Sequence, residues 1–193
     1  MAEAPAPAER RCNGDLEIWL PPLKGKTYLV AVDPAGGGSE GDYSAAQVLE
    51  MGTGMQCAEF AGHVGGLELA KLVTALAAEY NRAWLVVERN NHGSGVLALV
   101  DTVCGYPRIY RQGGQPGWLT TSLSRPTVLG RLGAGLVEQP ERFQSRRLLG
   151  ECRSFVRLAN GSSGARAGMH DDRLMAMAIG LGARAELLEM PGR

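Results

Sequence analysis

The chain has 193 residues, and its 20 Lys and Arg balance 20 Asp and Glu to a formal net charge of zero. That length suits one domain, and 45% hydrophobic with 21% charged residues excludes disorder as the state of the whole chain. No apolar run approaches the ~20 residues of a membrane span, and the N-terminus lacks the apolar stretch of a signal peptide, so a water-soluble domain with no membrane partner is expected.

Residues 1–26 read as a flexible N-terminal tail or the remnant of an interdomain linker, because MAEAPAPAERR is Ala/Pro-rich and Pro21-Pro22 interrupts the mixed segment after it. The domain itself is expected over 27–193. Thr27 to Asp33, TYLVAVD, is a β-branched apolar run that ends on a carboxylate. Beyond a Gly-rich turn from Pro34 to Gly41, Tyr43 to Glu50 and Met55 to Gly62 read as two further strands. The short turns between the three predict an antiparallel meander.

Leu67 to Tyr80 places Leu69, Leu72, Val73, Leu76 and Ala77 at helical spacing, and Ala83 to Glu88, AWLVVE, is a strand that again stops at an acid. Gly95 to Val103 reads as a helix, Arg108 to Arg111 as a short strand, and Gly113 to Ser124 as a turn-rich loop containing Trp118. Pro126 marks a helix start, with Val128, Leu129, Leu132 and Leu136 on its apolar face. Leu148 to Leu158 fits a helix, a strand, or one followed by the other, and Asn160 to Gly168 a mobile loop or hairpin tip. A last helix runs from about His170 to Leu188. This order predicts an α/β fold with a mixed sheet, an antiparallel three-strand meander and flanking helices.

Asp33, Glu88 and the Asp171-Asp172 pair are the candidate site. If the Thr27 and Ala83 strands are parallel neighbours, Asp33 and Glu88 share one rim of the sheet, and a helix opening near His170 brings a third carboxylate across it. Carboxylates gathered so closely repel unless a divalent cation neutralises them. Hard oxygen ligands point to Mg²⁺ or Mn²⁺, and two such ions about 4 Å apart activate a water and stabilise the leaving oxygen of a phosphodiester. Zinc is not expected, since Cys12, Cys57, Cys104 and Cys152 are scattered without metal-ligand spacing. Each acid also has an ordinary role open to it: a turn at Asp33-Pro34, an ion pair for Glu88 with Arg82 or Arg89, and helix-start acids at Asp171 and Asp172.

The order VAVDPAGGGSEGDYSA, LVVERNNHG, GWLTTSLSRPTVL, ECRSFVRLANG and HDDRLMAMAIG resembles the C-terminal nuclease domain of the large terminase subunit of tailed bacteriophages, over roughly Thr27 to Leu188. The resemblance implies an RNase H-like fold and a metal-dependent endonuclease that cuts concatemeric viral DNA during packaging. Asp33 then matches the family's first-strand acid and Glu88 its second. The third falls in HDD, with Asp172 favoured as ligand and Asp171 as cap or auxiliary ligand. Asp42, in GDYSA, is either a further acid near two metal ions or a hairpin-turn residue. The partners implied are double-stranded DNA, a terminase small subunit, a portal protein and a separate ATPase domain, in the cytoplasm of a bacterial host.

The zero net charge divides unevenly along the chain. Residues 1–105 carry 7 basic and 13 acidic side chains, 106–169 carry 10 and 3, and 170–193 carry 3 and 4. Every basic residue of the middle block is arginine, whose planar fork matches phosphate. Arg108, Arg111, Arg125, Arg131, Arg146 and Arg147, with Arg153, Arg157 and Arg166, are candidate contacts to the DNA backbone. Trp118 either packs its loop down or faces DNA as a wedge, and His92 and His170 lie beside the acids in sequence.

No GxxxxGK[ST] occurs, so no ATP site is expected, and the Ala/Pro tail would mark where a linker to a motor domain was cut. Three rival readings remain open: a non-catalytic docking module of the packaging motor, a RuvC-like resolvase, and an actin- or sugar-kinase-like ATPase domain suggested by Asp33-Pro34-Ala35-Gly36-Gly37-Gly38.

Overall fold

A computed structural model describes residues 4–36, 43–157, 163–166 and 168–190. The order of its elements begins with β1 (Glu9–Arg11), β2 (Leu16–Ile18), β3 (Tyr28–Asp33), β4 (Ser44–Glu50), β5 (Gln56–Gly62), α1 (Gly66–Glu79), β6 (Trp84–Val87) and α2 (Gly93–Thr102). It continues with β7 (Arg111–Gln112), β8 (Gln115–Pro116), α3 (Ser124–Glu138), α4 (Arg146–Ser154), β9 (Phe155–Arg157), β10 (Ser163–Ala165) and α5 (Asp172–Glu189).

Six strands form one mixed sheet in the order β1-β2-β5-β4-β3-β6. β3, β4 and β5 are the expected antiparallel meander, and β6 lies parallel to β3 with Val32 opposite Val87. Parallel neighbours need a crossover, and α1 supplies it. The sheet is covered on both sides. Val30, Val32, Val48, Phe60, Leu85 and Val87 point to a core shared with α1 and α2, while Leu29, Ala31, Leu49 and Val86 point to a second core built with α3, α4 and α5. The alternation along each strand is the period of two that assigns successive side chains to opposite faces. α5 lies close on β3 because Gly180 faces Ala31 and Leu49, where a Cβ would stand only 3.0 Å from the Ala31 methyl.

The structure differs from the sequence reading at both ends of the sheet. Within residues 1–26, β2 pairs with β5 and β1 with β2, and Leu16, Ile18 and Trp19 are buried. Three-residue strands are too short for periodicity to register, and Pro21-Pro22 hides them further. At the opposite edge the expected Arg108 to Arg111 strand is reduced to isolated parallel bridges, Leu85 to Ile109 and Glu88 to Trp118, plus the two-residue hairpin of β7 and β8. Leu148 to Leu158 resolves into helix followed by strand, since α4 runs straight into β9, and β10 pairs back on it. The rest of the expected 160–168 loop lies partly outside the described residues. No described helix is long and apolar enough to cross a membrane.

Candidate metal centre

Asp33 closes β3, and Glu88 follows directly on β6. The Glu88 N–H donates to the Val32 carbonyl at 2.9 Å, so the two strands stay in register to their ends and bring the two acids side by side. By strand alternation, Asp33 lies on the face of Leu29 and Ala31, the face that α5 covers. Behind Glu88 the start of α2 is pressed against the strand end, since a Cβ on Gly93 would stand 1.6 Å from the Glu88 carbonyl oxygen.

Asp171 and Asp172 reach this rim from the start of α5. Burial, first, and then the Glu88 charge, a side-chain hydrogen bond with Glu88, and the charges of Asp172 and Asp171 push the Asp33 carboxyl well above the usual carboxylate range. The four acids therefore form one electrostatic cluster. Among the described residues, no three His, Cys, Asp or Glu side chains converge into a ready-made cage for an ion. The arrangement is instead Asp33 and Glu88 at neighbouring strand ends, with the carboxylates of Asp171 and Asp172 close enough to act on Asp33. Its donors are carboxylate oxygens, the chemistry that suits Mg²⁺ or Mn²⁺.

Asp171 and Asp172 are held differently. Asp172 is buried and accepts the Tyr43 N–H at 3.2 Å, with His170 Nδ1 3.6 Å from the same oxygen. Asp171 occupies the N-cap position of α5, yet its side chain makes no cap hydrogen bond and faces Arg125 Nη2 at 3.3 Å. His92 lies against Gly36, just beyond Asp33. Asp42 is outside the described residues.

Sequence reasoning missed the support beneath this rim. Gln47, Gln56 and Glu59 lie fully or almost fully buried on the α5 side of β4 and β5. The Gln56 amide donates to Gln47 at 2.8 Å, Gln47 donates to Glu59 at 2.9 Å, and Ser145 Oγ donates to Glu59 at 2.8 Å. Arg173 reaches Glu59 and Glu151. The available signal was the polar residues at alternate places in otherwise apolar strands, Gln47 in SAAQVLE and Glu59 in QCAEFAG.

The arginines separate into groups. Arg125 stands at the acidic rim and also approaches the Ser163 carbonyl at 3.5 Å. Arg147 donates to the Gly14 carbonyl at 3.2 Å and lies 3.7 Å from Glu17, while Arg146 donates to the Ala4 carbonyl at 3.1 Å. Arg131 is exposed on α3. Arg111 is exposed and donates to the Gly114 carbonyl. Arg108 is at the other end of β6 from Glu88, stacked 4.6 Å over the Trp84 ring. Trp118 is an anchor: it is 3% exposed, its backbone N–H donates to the Val87 carbonyl at 2.8 Å, and its ring stacks on Tyr110.

A mixed sheet with an antiparallel meander, a parallel fourth strand and acids at the parallel strand ends is the RNase H-like architecture. The chain is similar to the large terminase nuclease of thermophilic phage G20c solved with bound magnesium, with 20% identity over 92% of this chain and 90% of that chain and a TM-score of 0.72. The same nuclease with bound zinc matches at 21% identity over 92% and 91%, with a TM-score of 0.67. The Thermus phage P74-26 large terminase nuclease domain matches at 22% identity over 91% and 87%, with a TM-score of 0.66. These likenesses establish the fold. No protein-family model matches the chain, and no curated protein matches it by sequence.

Proposed function

We propose that the chain is a divalent-metal-dependent endodeoxyribonuclease of terminase type, which cuts concatemeric viral DNA during genome packaging. The observation that carries this reading is the placement of Asp33 and Glu88 at the ends of two parallel neighbouring strands, with Asp172 fixed by the Tyr43 N–H at the start of α5. Carboxyl groups gathered at the end of two parallel strands suit a site made for cations. The G20c nuclease, of the same fold, has been solved with magnesium, cobalt and zinc.

In this reading Asp33, Glu88 and Asp172 are the residues that would hold two Mg²⁺ or Mn²⁺ ions. Such ions would supply an activated water and neutralise charge on the leaving 3′ oxygen. The remaining work belongs to the chain. The Tyr43 N–H fixes one Asp172 oxygen, so that this ligand reaches the rim in a single orientation. Asp171, held at the surface by Arg125, is an auxiliary ligand. Arg125 is one-third exposed and is the arginine best placed to take a phosphate beside the cut. Arg131, Arg146, Arg147 and Arg111 extend the backbone contacts, with little sequence preference. Translocation requires a separate ATPase domain, and a small subunit and portal protein are the partners of such a role, in the host cytoplasm.

Crystals soaked in millimolar Mn²⁺ test the reading directly by anomalous scattering. Two peaks among Asp33, Glu88 and Asp172 support it, and a rim without ions contradicts it.

A further inference from the structure

α5 begins beside the acidic rim without help from its own N-cap side chain. A helix start leaves backbone N–H groups that need acceptors, and here a different helix supplies one. Glu151 of α4 accepts the Leu174 N–H on Oε2 at 3.0 Å. Its other oxygen accepts from Arg173 Nη1 at 2.8 Å. The Arg173 side chain is 12% exposed, and its Nε stands 3.3 Å from Glu59 Oε1 on β5. The same guanidinium lies 5.5 Å over the Tyr43 ring, the residue whose N–H binds Asp172. The backbone is tied as well, because the Gln47 amide donates to the Arg173 carbonyl at 3.3 Å. Arg173 is thus bound to β4, β5 and α4 at once, one residue from Asp172.

Such a network is a poor way to gain stability alone. Two buried carboxylates share one cation, and replacing buried ion pairs by packed apolar side chains is often neutral or favourable. What charge and hydrogen bonding supply here is a single placement of the first turn of α5. A guanidinium spans both carboxylates with its fork, whereas an ammonium is a point charge.

We infer that Arg173, clamped between Glu59 and Glu151, is a positioning residue for the metal site: it fixes the first turn of α5 so that Asp172 meets the rim of Asp33 and Glu88. The inference rests on the metal-dependent reading above, and it concerns geometry one residue away from the ligand rather than the ligand itself.

Calorimetric titration of the full chain with Mn²⁺, without DNA, tests it in three proteins: the parent, Arg173→Lys and Glu151→Gln. Both variants are expected to unfold cooperatively and to bind Mn²⁺ about tenfold more weakly, the loss typical when a group that orients a metal ligand is changed. Plasmid nicking at saturating Mn²⁺ is expected to return close to the parent rate, since the ligands are intact. Should Arg173→Lys fail to fold, Glu151→Gln carries the test, because its amide oxygen still accepts the Leu174 N–H. Parent-like Mn²⁺ affinity in a folded variant overturns the inference and leaves the metal site standing. A rate that stays low at saturating Mn²⁺ while affinity is unchanged overturns it too. A parent protein that binds no Mn²⁺ overturns the metal reading and this inference together.

Discussion

Asp33 closes β3 and Glu88 follows directly on its parallel neighbour β6, and burial together with the Glu88 charge pushes the Asp33 carboxyl well above the usual carboxylate range. Carboxylates gathered this closely disfavour ionisation of the buried Asp33, and a cation bound among them would relieve that cost. The strand register that brings them together is set by ordinary apolar packing of Val30, Val32, Leu85 and Val87.

Asp33 makes the metal-free protein sensitive to pH in a definite direction. Its folded carboxyl titrates above the unfolded value of about 3.9, so its stabilising contribution is complete below that value and is lost as pH rises through the folded one. Asp33→Asn removes that loss. Urea denaturation without metal should show the variant more stable than the parent near neutral pH, with the two converging on acidification. Glu59 and Glu151 are also pushed upward by burial, so some slope of the same sign remains in both proteins. Added Mn²⁺ should raise the midpoint of the parent and leave that of Asp33→Asn nearly unmoved.

Gly93 has no room for a side chain, because its Cβ would meet the Glu88 carbonyl oxygen. Gly93→Ala should part α2 from the end of β6, at a cost of about 1 to 3 kcal/mol or more. The displaced Glu88 should weaken Mn²⁺ binding as well. Chemical denaturation and calorimetry on the same preparation measure the two effects.

Trp118 is buried beneath its loop, in contact with the core that α3 and α5 share. Trp118→Ala should cost about 3 to 5 kcal/mol, as large-to-small core changes do. A DNA-facing wedge would instead leave urea stability unchanged and lower DNA affinity.

Much of this was legible in the sequence, and for identifiable reasons. β3 and β6 are uninterrupted apolar runs that stop at acids, so both the strands and the ends that bear Asp33 and Glu88 stand out. The α5 helix is visible from its apolar spacing, and the HDD motif leads into it, with Asp172 as its first residue. Illegible were β1 and β2, whose three residues each show no period, and the cap of α5, whose acceptor lies on α4 and is separated from Leu174 by 23 residues. The basic block could be counted but not oriented. Nothing along the sequence separates Arg125, which faces Asp171, from Arg108, which stacks on Trp84 at the far end of β6.

That difference gives a paired test of the DNA surface. The Arg125 pair with Asp171 is partly exposed and contributes only about 0 to 1 kcal/mol to stability, so Arg125→Ala should fold normally. It should bind duplex DNA more weakly and lower the salt dependence by about one phosphate contact. Arg108→Ala should leave both affinity and salt slope unchanged. Fluorescence anisotropy at several salt concentrations measures both.

Nicking of supercoiled plasmid, with and without Mn²⁺, is the most direct test of a metal-dependent nuclease. The parent chain should convert plasmid to open circles only when Mn²⁺ or Mg²⁺ is present, and Asp33→Ala and Glu88→Ala should abolish the conversion while retaining a cooperative unfolding transition. Undiminished cleavage in either variant, or cleavage by the parent in excess chelator, would contradict the account.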